Sequence, residues 1–350
     1  MKKLNFSKNL QMDVSELKSL IKDSDSLSRQ IYYIAALTAK GVLTLLFCSV
    51  FVIVYSVLFG FDNSSVGVTV LLCVLTFQST DFGVSLKDSF KIFTIYFLII
   101  MFLPMAANMV NPFFGLLINI VGIFIIYVLC CSKVEYFNHS IMVLGYLLIY
   151  GYNVTGKLYY SRVVAIAVGF LLTCLVFFHK HYKMKETRKI SDIIKEFGFK
   201  NLKSQWQVKA TLAVTLSIFI GEILGLPKAM WAGIAAMSVL VPFEHEVKNR
   251  FVHRIQGTVL GIIIFFIICL FLPENVYGFI GIAGGFCLSF CSKYISKVPF
   301  NTCGGLCVAV GTYGLKLTMI ARLVQNVFGV LCAVIITYII SLYNKKWNTL

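Results

Sequence analysis

The sequence is short of charge. Asp, Glu, Lys and Arg together make up only 13% of its 350 residues, and acids are the scarcer sign, 15 against 31 Lys and Arg. A soluble domain carries roughly a quarter of its residues charged, so this chain lacks the polar surface that water requires. No stretch is long and polar enough for a separate soluble domain, and no Walker A motif is present, which argues against direct use of ATP. No secretory signal is visible, because the first apolar run begins only near residue 41, after a polar, basic tail. The few acids of the predicted outer side, Asp62, Glu222 and Glu274, are scattered. They do not form the acidic pair of a lipid-linked glycosyl- or acyltransferase, and no enzyme activity is expected. The 11 cysteines all fall in apolar runs with no His or acid to complete a ligand set, so neither metal, cofactor nor disulfide is expected.

What the chain has instead is hydrophobic length. Apolar residues reach 59% and mean hydropathy is +0.86. Runs able to cross ~30 Å of hydrocarbon recur along it. Twelve are read, at 41–60, 63–80, 92–111, 112–132, 140–156 and 163–178, then 208–226, 229–243, 255–273, 275–292, 298–315 and 323–343. Unpaired backbone groups cannot face lipid, so the fold class is all-α, an integral membrane protein with about twelve transmembrane helices. The span at 229–243 is short and flanked by Pro227 and Pro242, which predicts a tilted or broken helix. Three small-xxx-small pairs, Gly221–Gly225, Gly257–Gly261 and Gly281–Gly285, predict close helix packing in the second half.

The two halves repeat. At a shift of 160 residues Cys131-Ser132-Lys133 pairs with Cys291-Ser292-Lys293, Arg162 with Arg322, and Gly169 with Gly329. Earlier in each half the shift is 169, pairing Lys40 with Lys209 and Pro104 with Pro273. If the N-terminus is cytoplasmic, 26 of the 31 Lys and Arg fall on the inner side. Both termini are therefore expected inside, with two parallel six-helix repeats related by an axis along the membrane normal.

The organisation follows: a cytoplasmic tail at 1–40, a first membrane repeat at 41–178, a linker at 179–207, a second repeat at 208–343 and a tail at 344–350. Val14, Leu17, Leu20 and Ile21 share one helical face behind an Asp13/Glu16 capping box, and Ile190, Ile193, Ile194 and Phe197 share another. Each reads as an interfacial amphipathic helix, with a solvated linker as the alternative. The net charge of +16 is inner-face charge held against anionic lipid and calls for no nucleic acid.

The second half contains Lys209-Ala210-Thr211-Leu212-Ala213, then Pro227-Lys228-Ala229-Met230-Trp231-Ala232-Gly233. Val241-Pro242 follows, and after it Arg254-Ile255-Gln256-Gly257-Thr258-Val259-Leu260-Gly261. As an ordered set these residues resemble the fusaric acid resistance protein-like superfamily, which includes bacterial aromatic acid exporters. The first half departs from the pattern: no Trp sits near Asp62–Val66, and Ser85–Phe90 stands where Arg-Ile-x-Gly-Thr would be. The resemblance implies a multi-pass transporter of the bacterial plasma membrane that exports aromatic or other organic carboxylates, driven by protons. The same superfamily is similar to plant malate channels, so a passive organic-anion channel is the alternative, and a non-transporting membrane subunit of a cell-envelope assembly another. The expected partners are an anionic small molecule and membrane lipids, and a homo-oligomer is compatible with the sequence.

Five cations break the inside rule, and four lie in equivalent turns: Lys157 with Arg162, and Lys316 with Arg322. Read as the starts of their helices, the arginines either flank an anion path, offering fork donors to a carboxylate, or reach for lipid headgroups. Asn301, in a Gly-rich helix start after Pro299, is a candidate anion contact through exposed N–H groups. Its counterpart in the first repeat is Asn138. Glu222 is the one acid deep in an apolar span, and either carries a proton or pairs with Lys228. Arg254, beside a charged turn at 244–250, is a candidate lining of the inner mouth, and Trp231 reads as an interfacial anchor.

Overall fold

The computed structural model describes residues 6–347, which are helical with no strand among them. Two short helices, α1 (Phe6–Gln11) and α2 (Val14–Lys22), precede α3 (Leu27–Phe59). A 3-10 turn at Phe61–Asn63 leads into α4 (Ser64–Thr76), then α5 (Leu86–Met109), α6 (Pro112–Cys130), α7 (His139–Gly151) and α8 (Lys157–His181). After the short α9 (Ile190–Glu196) come α10 (Leu202–Ile223), α11 (Met230–Val239), α12 (Glu244–Phe271), α13 (Tyr277–Ser289), α14 (Tyr294–Tyr313) and α15 (Leu315–Trp347).

A helix stands at each of the twelve apolar runs. Among the described residues, six are long and apolar enough to cross a membrane: α3, α5, α6, α8, and most of α12 and α15. The shorter apolar helices α4, α7, α11 and α13 fall below the ~20 residues a full crossing needs. Between Pro227 and Pro242, where a tilted or broken helix was expected, α11 is short, 10 residues, and unbroken.

Local chemistry explains where several helices begin. Ser85 caps α5 by accepting from the Asp88 amide at 3.3 Å. Asn111 caps α6 in the same way, from the Phe114 amide at 3.1 Å, with Pro112 at the first helical position. Other starts differ from the hydropathy reading. Helices α3 and α8 begin at Leu27 and Lys157 rather than at 41 and 163, because their first turns are polar yet still helical. Helix α14 begins at Tyr294 and carries Pro299 inside it. The expected helix start at Asn301 is thereby overturned, since its amide lies beyond the first turn, where N–H groups are already spent on the helix ladder.

The chain divides into two compact units. One joins Met1–Val50 to Val252–Leu323. Its core gathers Phe265, Tyr277, Ile280, Cys303 and Leu306. A side chain at Gly257 or Gly261 of α12 would fall 2.6 Å from Val298 Cβ or from the Pro299 carbonyl of α14, so one predicted small-residue pair is a true helix contact. Lys40 donates to the Met12 carbonyl, tying α3 to the start of α2, whose Leu17 is buried.

The other unit joins Phe51–Phe251 to Val324–Leu350. Helices α4–α8 and α10–α11 pack into one apolar core, with Phe93 meeting Phe77, Phe82 and Phe177 at 4.8–5.1 Å. Two glycines related by the 160-residue shift make matching approaches here. A Cβ at Gly169 of α8 would stand 2.2 Å from Val70 in α4, and one at Gly329 of α15 would stand 2.1 Å from the Ala232 carbonyl in α11. In each case the last helix of a half packs against the second, with glycine clearing the crossing.

The linker is docked rather than loose. Arg188 donates to Ser132 Oγ at 3.0 Å and to Glu196, its carbonyl accepts from the Ser85 amide, and Ile190 N–H bonds Asp88 at 3.3 Å. Ile193 is buried, and Phe197 meets Phe124 at 5.5 Å. Burial pushes the Glu196 carboxyl up, but Lys203 and Arg188 outweigh it and hold it below the usual carboxylate range.

Candidate transport site

The helix starts decide what the two conspicuous arginines can do. Arg162 sits in the second turn of α8, only 2% exposed. Its Nε donates to Asn63 Oδ1 at 2.9 Å, and its two terminal nitrogens donate to the carbonyls of Ile149, Asp62 and Tyr152 at 3.3, 3.3 and 2.6 Å. Four of its five N–H groups are thus engaged within the protein. Ser161 and Tyr159 add bonds from the same turn to the Phe59 and Met101 carbonyls at 2.6 and 3.0 Å. Here a guanidinium ties α8 to the 3-10 turn before α4 and to the end of α7. Arg322, in the other unit, is 4% exposed and packs its guanidinium against Gly305, which has no side chain to displace it. Neither arginine stands at a helix start. Lys157 and Lys316 do, as the first residue of α8 and the second of α15, and both are exposed.

The remaining expected residues are dispersed. Asn301 is exposed on α14, and Arg254 is buried in α12 within the first unit. Asn138 donates to the Asp81 and Cys130 carbonyls at 3.0 and 3.3 Å, a tie between loops. Trp231 is 2% exposed, packed inside rather than standing at a lipid interface.

Glu222 holds the most informative place. It is half-buried near the end of α10, and among the described residues no cation lies within ion-pair reach of it. The alternative partner, Lys228, is engaged elsewhere: Nζ donates to the Gly151 carbonyl at 3.2 Å and lies 4.0 Å above the Tyr152 ring. Its backbone is left-handed, φ 58°, which turns it toward α7. Glu222 instead accepts from Tyr150 Oη of α7. One turn back along α7, Tyr146 donates to Oδ1 of Asn119 in α6 at 2.6 Å. Tyr146, Tyr150 and Asn119 are all buried. Two hydrogen-bonded pairs, Tyr146–Asn119 and Tyr150–Glu222, therefore stand one turn apart along α7 and involve three helices of one unit. An acid held by neutral donors can gain or lose a proton without breaking an ion pair.

The sequence reading missed the tyrosines, although Tyr146 and Tyr150 are spaced one helical turn apart. It also passed over Trp206, which shares a face of α10 with Lys209. Its indole donates to the Leu240 carbonyl at 2.9 Å and meets Tyr127 and His139 edge-on at 5.4 and 5.1 Å.

A helical chain with six membrane-length apolar helices among its described residues, and with an acid held by a buried tyrosine hydroxyl in an apolar helix, is a multi-pass membrane protein. Its further placement comes from comparison: residues 216–336 match the model of the fusaric acid resistance protein-like family. That match bears out the resemblance carried by the motifs of the second half and points to a role in membrane transport; it includes Glu222, Arg254, Asn301 and Arg322. Neither a curated protein nor a solved structure matches the chain.

Proposed function

We propose that this protein is a secondary transporter that exports organic anions, aromatic or other carboxylates, and that Glu222 carries the coupled proton. The observation that carries the reading is the carboxyl of α10, bonded to Tyr150 and paired with no cation among the described residues. Support for transport comes from the family match over 216–336, and support for two six-helix repeats from the matched approaches of Gly169 and Gly329. In this reading all twelve helices sit in the membrane, the short ones included, both termini face the cytoplasm, and the protein resides in the cell membrane. Arg162 acts through position, holding the turn before α4. Lys157 and Lys316 draw anions to the outer face.

The test is flux of labelled aromatic and aliphatic carboxylates in proteoliposomes, with and without an imposed proton gradient. Uphill movement that stops when the gradient is collapsed supports coupled transport. Flux indifferent to the gradient means a passive channel, and no flux across the whole panel means a non-transporting subunit.

A further inference from the structure

At the start of α10, the unit that carries Glu222 holds a cavity of about 340 Å³. That size falls in the range of small-molecule sites, roughly 300–1,000 Å³. Its walls are mainly apolar: Trp206 of α10, Leu240, Val241 and Phe243 in the turn after α11, and Val247 of α12. The polar groups that reach it are already satisfied. Trp206 donates to the Leu240 carbonyl at 2.9 Å, and Thr337 of α15 donates to the Ala333 carbonyl at 2.8 Å. Lys209 is engaged within the protein, and His245 is exposed beside the Phe243 ring. Among the described residues, no buried polar side-chain atom left without a bond belongs to this lining. An apolar space with no orphaned donor or acceptor gives water too few partners and suits an apolar occupant.

The mouth of the cavity indicates which occupant. Leu202, part of the lining, is 74% exposed, and Phe199, three residues earlier, is 77% exposed. Gln205 donates to the Phe199 carbonyl at 2.8 Å, which holds that segment over the first turn of α10. From Ala210 to Gly221 the helix carries no charge, so Lys209 marks a membrane boundary. The cavity therefore lies where lipid headgroups give way to chains. Lys200 is exposed between Phe199 and Leu202, whereas Lys203 pairs with Glu196 at 3.1 Å.

We propose that this cavity is a phospholipid site: one acyl chain enters past Leu202 and lies between Trp206 and the Val241–Phe243 turn, with an anionic headgroup against Lys200. The site goes beyond the transport reading and does not depend on what is transported. A chain already in hydrocarbon gains nothing by leaving water, so binding comes from contact with walls that otherwise face a void. The headgroup adds an attraction of one lysine for an anionic lipid. A chain seated there props the start of α10 against the turn after α11.

Quenching of tryptophan fluorescence by phosphatidylglycerol brominated along its chains, with the full chain in phosphatidylcholine bilayers, tests this directly. The part of the fluorescence that Trp206→Phe removes reports on the cavity. In the wild type that part is expected to be quenched to saturation at a low mole fraction of brominated lipid, as one site requires. Contact with surrounding lipid alone would rise with the whole mole fraction. Val241→Phe and Thr337→Leu fill the space from different walls, and each is expected to raise the half-quenching mole fraction at least about tenfold. Thr337→Leu is the smaller change and carries the test if Val241→Phe does not fold. Lys200→Gln is expected to raise it about fivefold for phosphatidylglycerol and to leave brominated phosphatidylcholine unchanged. Quenching that never saturates, or that both filling variants leave at the wild-type level, overturns the proposal. Quenching of Trp206 by aqueous acrylamide but not by brominated lipid also overturns it, by making the cavity a water-filled one. Brominated stearate that saturates at a lower mole fraction than the phospholipid would make a free fatty acid the occupant and overturns it as well.

Discussion

The two ends of α10 solve opposite problems with the same kind of neighbour. Near its start, a lysine is sheltered beside a fixed tryptophan in an open cavity. Near its end, a carboxyl is held by a buried tyrosine, with no counter-ion among the described residues. The start of the helix borders a cavity, and the acid near its end is held by a hydroxyl. In the proposed reading, Glu222 is therefore the group of α10 that exchanges a proton.

The sharpest way to break this assignment is to neutralise the acid and then to remove its donor. Glu222→Gln keeps an oxygen that accepts from Tyr150 and removes only the titrating group, so gradient-driven uphill transport should fall by at least about a hundredfold while 2-naphthoate binding stays within about threefold. Tyr150→Phe removes the donor and keeps the acid, so uphill transport should drop by about tenfold, less than for Glu222→Gln. Equal losses of binding and of coupling in both variants would mean that Glu222 has no role separate from the fold.

Packing predictions separate function from fold. Gly329→Leu should destabilise more than Gly169→Leu, because it meets the Ala232 backbone whereas Gly169 faces a Val70 side chain that can shift. Each is expected to cost about 1–3 kcal/mol or more in thermal unfolding in detergent. Arg162→Gln should cost about 1–3 kcal/mol, since it leaves buried carbonyls and Asn63 short of donors. A normal melting temperature with lost anion affinity would instead restore Arg162 as a binding residue. The smallest effect concerns the linker. The Glu196 carboxyl is held below its ordinary value, so its contribution is present above about pH 5 and is lost as pH falls below about 4. Limited proteolysis within 179–207 should therefore quicken on acidification, and Glu196→Gln should be cut quickly at neutral pH too.

Hydropathy revealed most of the fold because lipid-crossing helices are written as uncharged runs. The Asn111–Pro112 boundary was legible to the residue, since both cap and proline mark it. The starts of α3, α8 and α14 were not, because polar first turns and an internal Pro299 look like loops to a composition window. The candidate site was legible only as single residues. Glu222 stood out as the lone acid of its span, but Tyr150 lies 72 residues away and Arg162 meets Asn63 across 99. Contacts of that separation follow from how helices pack, which periodicity does not encode. The pairing of Trp206 with Lys209 was within reach, since spacing of three on a helix is a local rule.

The central claim is that Glu222 couples anion movement to protons. It is tested most directly by comparing wild type and Glu222→Gln in proteoliposomes for two activities: gradient-driven accumulation of labelled 2-naphthoate, and gradient-free exchange of internal for external 2-naphthoate. The expected result is that the variant keeps exchange and loses accumulation. Accumulation at the wild-type level in Glu222→Gln would contradict it.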